Sequence, residues 1–339
     1  MAKKSIKYLL GIIITALALW LCFRNLDWEV LKASFSKINF FWIILAGFNV
    51  LLSVYLLGWR WQILLASKVH ISLNQLFKYN IISQYLNLVI PARFGDIVKA
   101  WLASRKHSLS GSYVLGTIVV EKLVDSFILV MLGVLAPLFI TFKTQLKGYT
   151  SAVIIFIILI PIYILVIWKW EVLRTWLARL ASIFPGRLKQ RVLNFLDKGM
   201  EAFALLKDIK LALPVVLITV LIILSQVVTN LILFKAFGFN LGVFEALLLQ
   251  VVLIIGMAIP SVPGKIGVFE YTVILVLSMF GIDDNAGLSY GLMLHVIAFL
   301  PKIILGFIFM AGMNISLKKT EEELEKFEDK VAAPGEKVN

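Results

Sequence analysis

The sequence predicts an all-α, polytopic integral membrane protein, built as an inverted repeat with two re-entrant helical hairpins. Three observations carry that expectation. Of the 339 residues, 60% are hydrophobic and 16% are charged, with a mean hydropathy of +0.94; soluble domains of this size lie far from those values. Several apolar runs approach or exceed the ~20 residues that span a bilayer. Finally, one phrase is written twice inside apolar sequence. Ile90-Pro91-Ala92-Arg93-Phe94-Gly95-Asp96-Ile97 returns as Ile259-Pro260-Ser261-Val262-Pro263-Gly264-Lys265-Ile266, an offset of 259 − 90 = 169 residues. Pro-x-x-x-Gly in such a run breaks a helix at membrane depth, where hydrocarbon gives the freed backbone no water. Paired breaks in corresponding halves are a pointer to a transporter-type binding site.

The elements follow in order. Lys3, Lys4 and Lys7 begin an apolar stretch over 6–23 with no small-residue cleavage site behind it, so it reads as an uncleaved first helix. Further apolar runs lie at 40–66, 74–90, 112–142, 150–168, 212–236, 244–259, 265–280 and 287–314. Residues 169–210 hold nine Lys/Arg against four acids. Val192, Phe195, Leu196, Met200, Phe203 and Leu206 recur there at helical spacing, which predicts an amphipathic linker on the membrane surface. The Glu/Lys-rich stretch 317–339 reads as a solvated tail. The membrane domain is thus expected over 1–316, with repeat A at about 40–142 and repeat B at about 212–314.

Loop charge fixes the topology. If 74–90 crossed fully, the nine-cation segment would fall outside, against the positive-inside rule. If 74–104 is a hairpin entering and leaving on one side, that segment falls inside with both termini, in the cytoplasmic (inner) membrane. The runs before each break are also short, about 16 residues or ~24 Å of helix. Three crossings separate the starts of the two halves, so the second is upside down relative to the first and the hairpins enter from opposite faces. The net charge of +13 is accounted for by this pattern, and a nucleic-acid partner is not expected. Cys22 is the single cysteine, and His70, His107 and His295 have no metal-ligand spacing. No metal or cofactor is expected.

Charges at membrane depth cost about 2.5–3.5 kcal/mol each on insertion scales, so each needs a partner, water or a ligand. The first break carries Arg93, Asp96 and Lys99, and the helix after it Glu121, Lys122 and Asp125. Glu121 and Asp125 share a face, and Lys122 is placed to pair with Asp125 three residues on. Lys99 is expected near the interface. The second break carries Lys265, with Glu270 beyond it, and His295 is expected to face the same cavity. Asp96 and Lys265 coincide at the repeat offset (96 + 169 = 265), which predicts that they pair or bracket one headgroup. Half-helices beginning near Ile97 and Ile266 would aim positive dipole ends at the midplane, and Arg93 suits bidentate phosphate contact. Together these residues, with Pro91, Gly95, Pro260, Pro263 and Gly264 as the break positions, predict an anionic headgroup site. The alternative is that the charges merely satisfy one another and hold the hairpins together.

The segment from Asn87 to Asp96, then Glu121-Lys122-Leu123-Val124-Asp125, then Pro260 to Glu270, resembles one known family: the membrane domain of lysylphosphatidylglycerol synthases and its stand-alone flippase-like relatives. The resemblance covers about 6–315. It implies a lipid flippase or transporter moving a phospholipid or lipid-linked headgroup through a central charged cavity. With the chain ending at 339 there is no room for the family's soluble transferase domain, so synthesis of a lysyl lipid is not implied. Lys122 and Lys99 stand where the family often has Arg, and Lys265 replaces the second Gly of its usual Pro-Gly-Gly. Two other readings remain, a membrane enzyme acting on a lipid-linked substrate and a non-transporting assembly partner. No nucleophile–base arrangement, and no Gly-x-x-x-x-Gly-Lys-Ser/Thr motif for nucleotide, favours an enzyme or direct ATP drive. No catalytic residue is assigned, and oligomeric state is not legible.

Overall fold

In a computed structural model, the described residues are 2–24, 27–36, 38–90, 94–140, 208–258 and 261–315, with 175, 179 and 193. The expected run 150–168, nearly all of the 169–210 linker and the 317–339 tail lie outside them. Among the described residues the structure is all-helical. The helices are α1 (Ala2–Phe23), α2 (Trp28–Ser36), α3 (Phe40–Leu65), α4 (Leu73–Val89), α5 (Phe94–His107), α6 (Gly111–Ile140), α7 (Ile209–Ala236), α8 (Val243–Gly256), α9 (Val268–Ser278) and α10 (Asp284–Gly312), with a 3-10 turn at Pro263–Lys265 before α9. α5 lies outside the expected apolar runs, where a half-helix from near Ile97 was expected, and no element was expected at α2. α2 is nine residues of mixed polarity, Trp-Glu-Val-Leu-Lys-Ala-Ser-Phe-Ser, too short and too polar to register as an apolar run.

Among the described residues three helices are long and apolar enough to cross a membrane: Phe40–Leu65, Ile209–Phe237 and Asp284–Gly312. α3 shows why. Phe40, Phe41, Ile44, Phe48, Leu52, Tyr55 and Trp59 form an exposed apolar stripe, while Ala46, Val50, Val54, Trp61, Leu64 and Leu65 are buried. An element apolar on its exposed face as well as its buried one has hydrocarbon for solvent.

Both expected breaks are interruptions of helix. α4 stops at Val89 and α5 starts at Phe94; α8 stops at Gly256 and α9 starts at Val268. Pro91, Ala92, Arg93, Ile259 and Pro260 fall outside the described residues. The second break is locally strained: Gly264, Lys265 and Gly267 have φ of 77°, 60° and 84°, and for Lys265 that left-handed region is unfavourable. Element starts recur near the repeat offset: 209 − 40 = 169 for α3 and α7, 243 − 73 = 170 for α4 and α8, and 284 − 111 = 173 for α6 and α10.

The chain divides into two compact units, Met1–Val54 with Gln84–Arg93 and Ile222–Phe307, and Tyr55–Ser83 with Phe94–Leu221 and Ile308–Asn339. In the first unit, α8 packs on α9 and α1 packs on α9. A Cβ on Gly256 of α8 would sit 2.6 Å from the Thr272 hydroxyl of α9, so the missing side chain sets that approach. The buried side of α1, Thr15, Ala18 and Cys22, lies along the second break. The Thr15 hydroxyl accepts from the Val262 amide at 3.2 Å, and the Cys22 thiol donates to the Gly267 carbonyl at 3.7 Å. In the second unit α5 packs on α6, which brings together the charged residues of both helices.

Candidate functional site

The second unit holds a chain of ion pairs built from α3, α5 and α6. Its centre is Arg60 on α3, whose Nη1 donates to Asp125 Oδ1 and whose Nη2 donates to Asp125 Oδ2 at 3.3 Å. Nη1 also donates to the Thr219 hydroxyl of α7 at 2.9 Å. Arg60 Nε faces Glu121 Oε1 at 3.6 Å, an ion-pair distance too long for a hydrogen bond, so both atoms lack a hydrogen-bond partner. The other Glu121 oxygen accepts from Lys99 Nζ at 2.8 Å. Lys99 also lies 4.0 Å above the centre of the Trp61 ring, and the Trp61 indole donates to Thr117 at 3.1 Å. A desolvated cation so placed gains from both carboxylate and ring.

A second, shallower tier flanks this one. Lys122 Nζ stands 3.7 Å from Asp96 Oδ2, and the Ser83 hydroxyl donates to Asp96 Oδ1 at 3.2 Å. Side-chain exposure separates the tiers: 1% for Arg60, 5% for Lys99 and 4% for Glu121, against 19% for Asp96, 40% for Asp125 and 47% for Lys122. The floor is buried and net positive, and the rim is accessible and net negative.

Five of the expected site residues therefore meet: Asp96, Lys99, Glu121, Lys122 and Asp125. Two details differ from expectation. Lys99 is buried rather than lifted to the interface, because α5 lays it against Glu121 and Trp61. The ion pairs put Lys122 with Asp96 and Asp125 with Arg60, rather than Lys122 with Asp125; a buried guanidinium is the stronger claimant on the Asp125 carboxylate. Arg60 went unrecognised in the sequence. Its signal was there: it is the sole charged residue in the 26 residues of α3. Gly95 is buried in the first turn of α5, beside Asp96, whose negative charge suits a helix N-terminus.

The remaining expected residues that are described, Lys265, Glu270, His295, Pro263 and Gly264, lie in the first unit, and Arg93 lies outside the described residues. Glu270 and His295 do meet, with His295 Nδ1 2.6 Å from Glu270 Oε1 and the Phe269 and Phe299 rings edge-on to the imidazole. The second Glu270 oxygen accepts the Gly267 amide at 2.7 Å, so this carboxylate caps the start of α9. The same tetrapeptide, Gly-Val-Phe-Glu, opens α8, where Glu245 accepts the Gly242 amide at 2.8 Å. Lys265, Pro263 and Gly264 form the 3-10 turn between these helices. Asp96 and Lys265, expected to pair, belong to different units.

Uncharged polar groups, also unread in the sequence, link the first unit's helices. Asn230 Nδ2 on α7 donates to the Ala246 carbonyl at 3.2 Å and to Gln250 Oε1 at 3.4 Å, while Gln250 Nε2 donates to Gln226 at 2.7 Å. The Tyr290 hydroxyl of α10 donates to Asn230 Oδ1 at 3.3 Å, and Asn49 on α3 donates to Thr229 at 2.8 Å. Among the described residues no cluster of His, Cys, Asp and Glu could hold a metal ion.

Apolar helices with an ion-paired polar centre define a multi-pass membrane protein. Comparison with known proteins then places it: residues 8–306 match the lysylphosphatidylglycerol synthase TM region, and the chain belongs to that family. It is similar to UPF0104 membrane protein MJ1078 of Methanocaldococcus jannaschii, 26% identical over 248 residues, covering 70% of this chain and 99% of the relative. It is also similar to UPF0104 membrane protein PH1989 of Pyrococcus horikoshii, 22% identical over 323 residues, covering 90% of this chain and 95% of the relative. No solved structure matches the chain.

Proposed function

We propose that this protein is a lipid flippase-type transporter, moving a phospholipid or lipid-linked headgroup across the cytoplasmic membrane through a polar, charged site. The observation that carries the reading is the buried Arg60–Glu121–Lys99 chain with its accessible Asp96, Lys122 and Asp125 rim. Charge at membrane depth is retained where it serves a pathway, and an accessible rim gives a headgroup a way in. Family membership supports lipid handling.

The broken helices supply the route. At 1.5 Å per residue, α8 and α9 with 14 and 11 residues reach about 21 and 17 Å, short of a ~30 Å hydrocarbon core. Consecutive and packed on each other, they suit a re-entrant hairpin. The recurring element order suits an inverted repeat, with termini on the cytoplasmic side as loop charge expects. Asp96 and Lys265 are the tip positions such symmetry relates. The expected Arg93 would add a cation at the first tip.

The test is leaflet exchange in proteoliposomes carrying headgroup-labelled lipids and an external quencher. Wild-type protein should expose the inner-leaflet label, and Glu121→Ala and Asp125→Ala should abolish exchange in protein that is still folded. Undiminished exchange in both variants sinks the proposal. Release of a new lipid species would indicate an enzyme, and neither activity would leave an assembly role.

A further inference from the structure

We infer that the polar site in the second unit selects a zwitterionic headgroup, a phosphate joined to a primary ammonium, over a purely anionic one. The inference rests on the transport reading for the ligand's lipid origin, but its chemistry comes from the charge layout alone.

Among the described residues the site holds three cations, Arg60, Lys99 and Lys122, and three acids, Asp96, Glu121 and Asp125. These six described residues balance in charge among themselves. Their arrangement is not uniform, because the buried floor carries two cations and one acid, and the accessible rim two acids and one cation. The bond open to exchange is the one joining the tiers, between the Arg60 guanidinium and Asp125. Asp125 is the more exposed of that pair, and Arg60 Nε and Glu121 Oε1 still lack hydrogen-bond partners.

A phosphate reaching Arg60 must displace the Asp125 carboxylate, for which it is a geometric substitute: both offer two oxygens to the guanidinium fork. An anion alone then leaves Asp125 unpaired near low dielectric, which is costly. A cation alone satisfies Asp125 but strips Arg60 of its partner. A zwitterion avoids both losses. Its phosphate takes Arg60, its ammonium takes Asp125, and one ion pair is exchanged for two. The primary amine matters because it donates hydrogen bonds to the rim acids, as a quaternary ammonium does not.

The experiment measures lipid binding by native mass spectrometry of the full chain released from nanodiscs containing phosphatidylethanolamine and phosphatidylglycerol in equal amounts. Wild type should retain phosphatidylethanolamine by about tenfold, equivalent to about 1.4 kcal/mol. Asp125→Asn keeps the shape and leaves Arg60 without a competing carboxylate, so the preference should reverse toward phosphatidylglycerol. A folding defect would lower both lipids together, whereas the inference requires a change of order. Equal or better phosphatidylglycerol binding by wild type, or parallel weakening of both lipids in Asp125→Asn, overturns it. Soluble phosphoethanolamine is the companion probe. Competition at concentrations comparable to the lipid assigns the same chemistry to a free phosphate ester, and failure to compete assigns it to the membrane lipid. Leaflet exchange without headgroup preference would refute this selectivity while leaving the transport reading standing.

Discussion

Replacing Glu121 with Gln leaves the site's shape intact and removes the charge that joins its two buried cations. At 2.8 Å from Lys99 Nζ, and with an effective dielectric constant of about 20, the lost attraction is roughly 332/(20 × 2.8), or about 6 kcal/mol before desolvation. The Arg60 contact at 3.6 Å contributes about 5 kcal/mol gross on the same footing. Arg60 keeps Asp125, so the damage falls on Lys99, left nearly inaccessible over the Trp61 ring without its hydrogen-bonded carboxylate. Removing one partner of a buried pair costs about 3–5 kcal/mol net, which sets Glu121→Gln near 4 kcal/mol. Lys99→Met should cost about 2 kcal/mol, since Glu121 then turns wholly to Arg60. The double variant, with no stranded cation, should cost about 3 kcal/mol rather than the sum, a coupling of about 3 kcal/mol. Cys22, the single and buried cysteine, supplies the assay: a thiol-reactive dye reports its exposure as detergent-solubilised protein is heated. At about 2 °C per kcal/mol, Glu121→Gln should melt about 8 °C early and the double variant about 6 °C early. Additive losses would show that Glu121 and Lys99 do not form the buried pair described.

Two further outcomes test the packing of the first unit. The duplicated Gly-Val-Phe-Glu gives an internal comparison, because Glu270 caps α9 in the interior while Glu245 caps α8 at an exposed end. Glu245→Ala should cost about 0.5–1 kcal/mol, and Glu270→Ala about 2–3 kcal/mol, since it also strips His295 of its carboxylate; equal melting shifts would refute the dual role of Glu270. On α10, a Cβ on Gly306 would strike the Cβ and ring of Tyr85, so Gly306→Ala should destabilise by about 1–3 kcal/mol. Gly312→Ala, with nothing within 4 Å, should be near neutral.

The comparison of sequence with structure turns on what kind of information each residue carries. Helix limits were legible because they depend on local composition: runs expected at 40–66 and 112–142 became α3 over Phe40–Leu65 and α6 over Gly111–Ile140. The gaps between helices fall on the two phrases, but Pro91 and Pro260 lie outside the described residues and Gly95, expected at a break, is helical; of the break positions, Pro263 and Gly264 are the ones seen between helices. Pairing was not legible, because partners come from other helices. Lys122 and Asp125 satisfy the spacing rule for one helix face, yet the described partners arrive from α5 and α3. Arg60 illustrates the same limit, since one cation between Trp59 and Trp61 near the end of an apolar run resembles an interfacial anchor. Burial of Arg60 shows otherwise. The neutral links through Asn230, Gln250 and Tyr290 were invisible for a similar reason, each being an unremarkable polar residue until its neighbours are known.

The equal number of cations and acids among the six site residues also bears on the membrane potential. A charge carried through that field costs or gains about 2.3 kcal/mol per 100 mV, so any motion that displaced Arg60, Lys99 and Lys122 without their acids would be driven or stalled by voltage. Asp96, Glu121 and Asp125 belong to the same unit as those cations, so a displacement of all six together would carry no net charge. On the transport reading proposed above, these six groups together would be electrically silent, and the electrical work of a cycle would fall on the net charge of the headgroup.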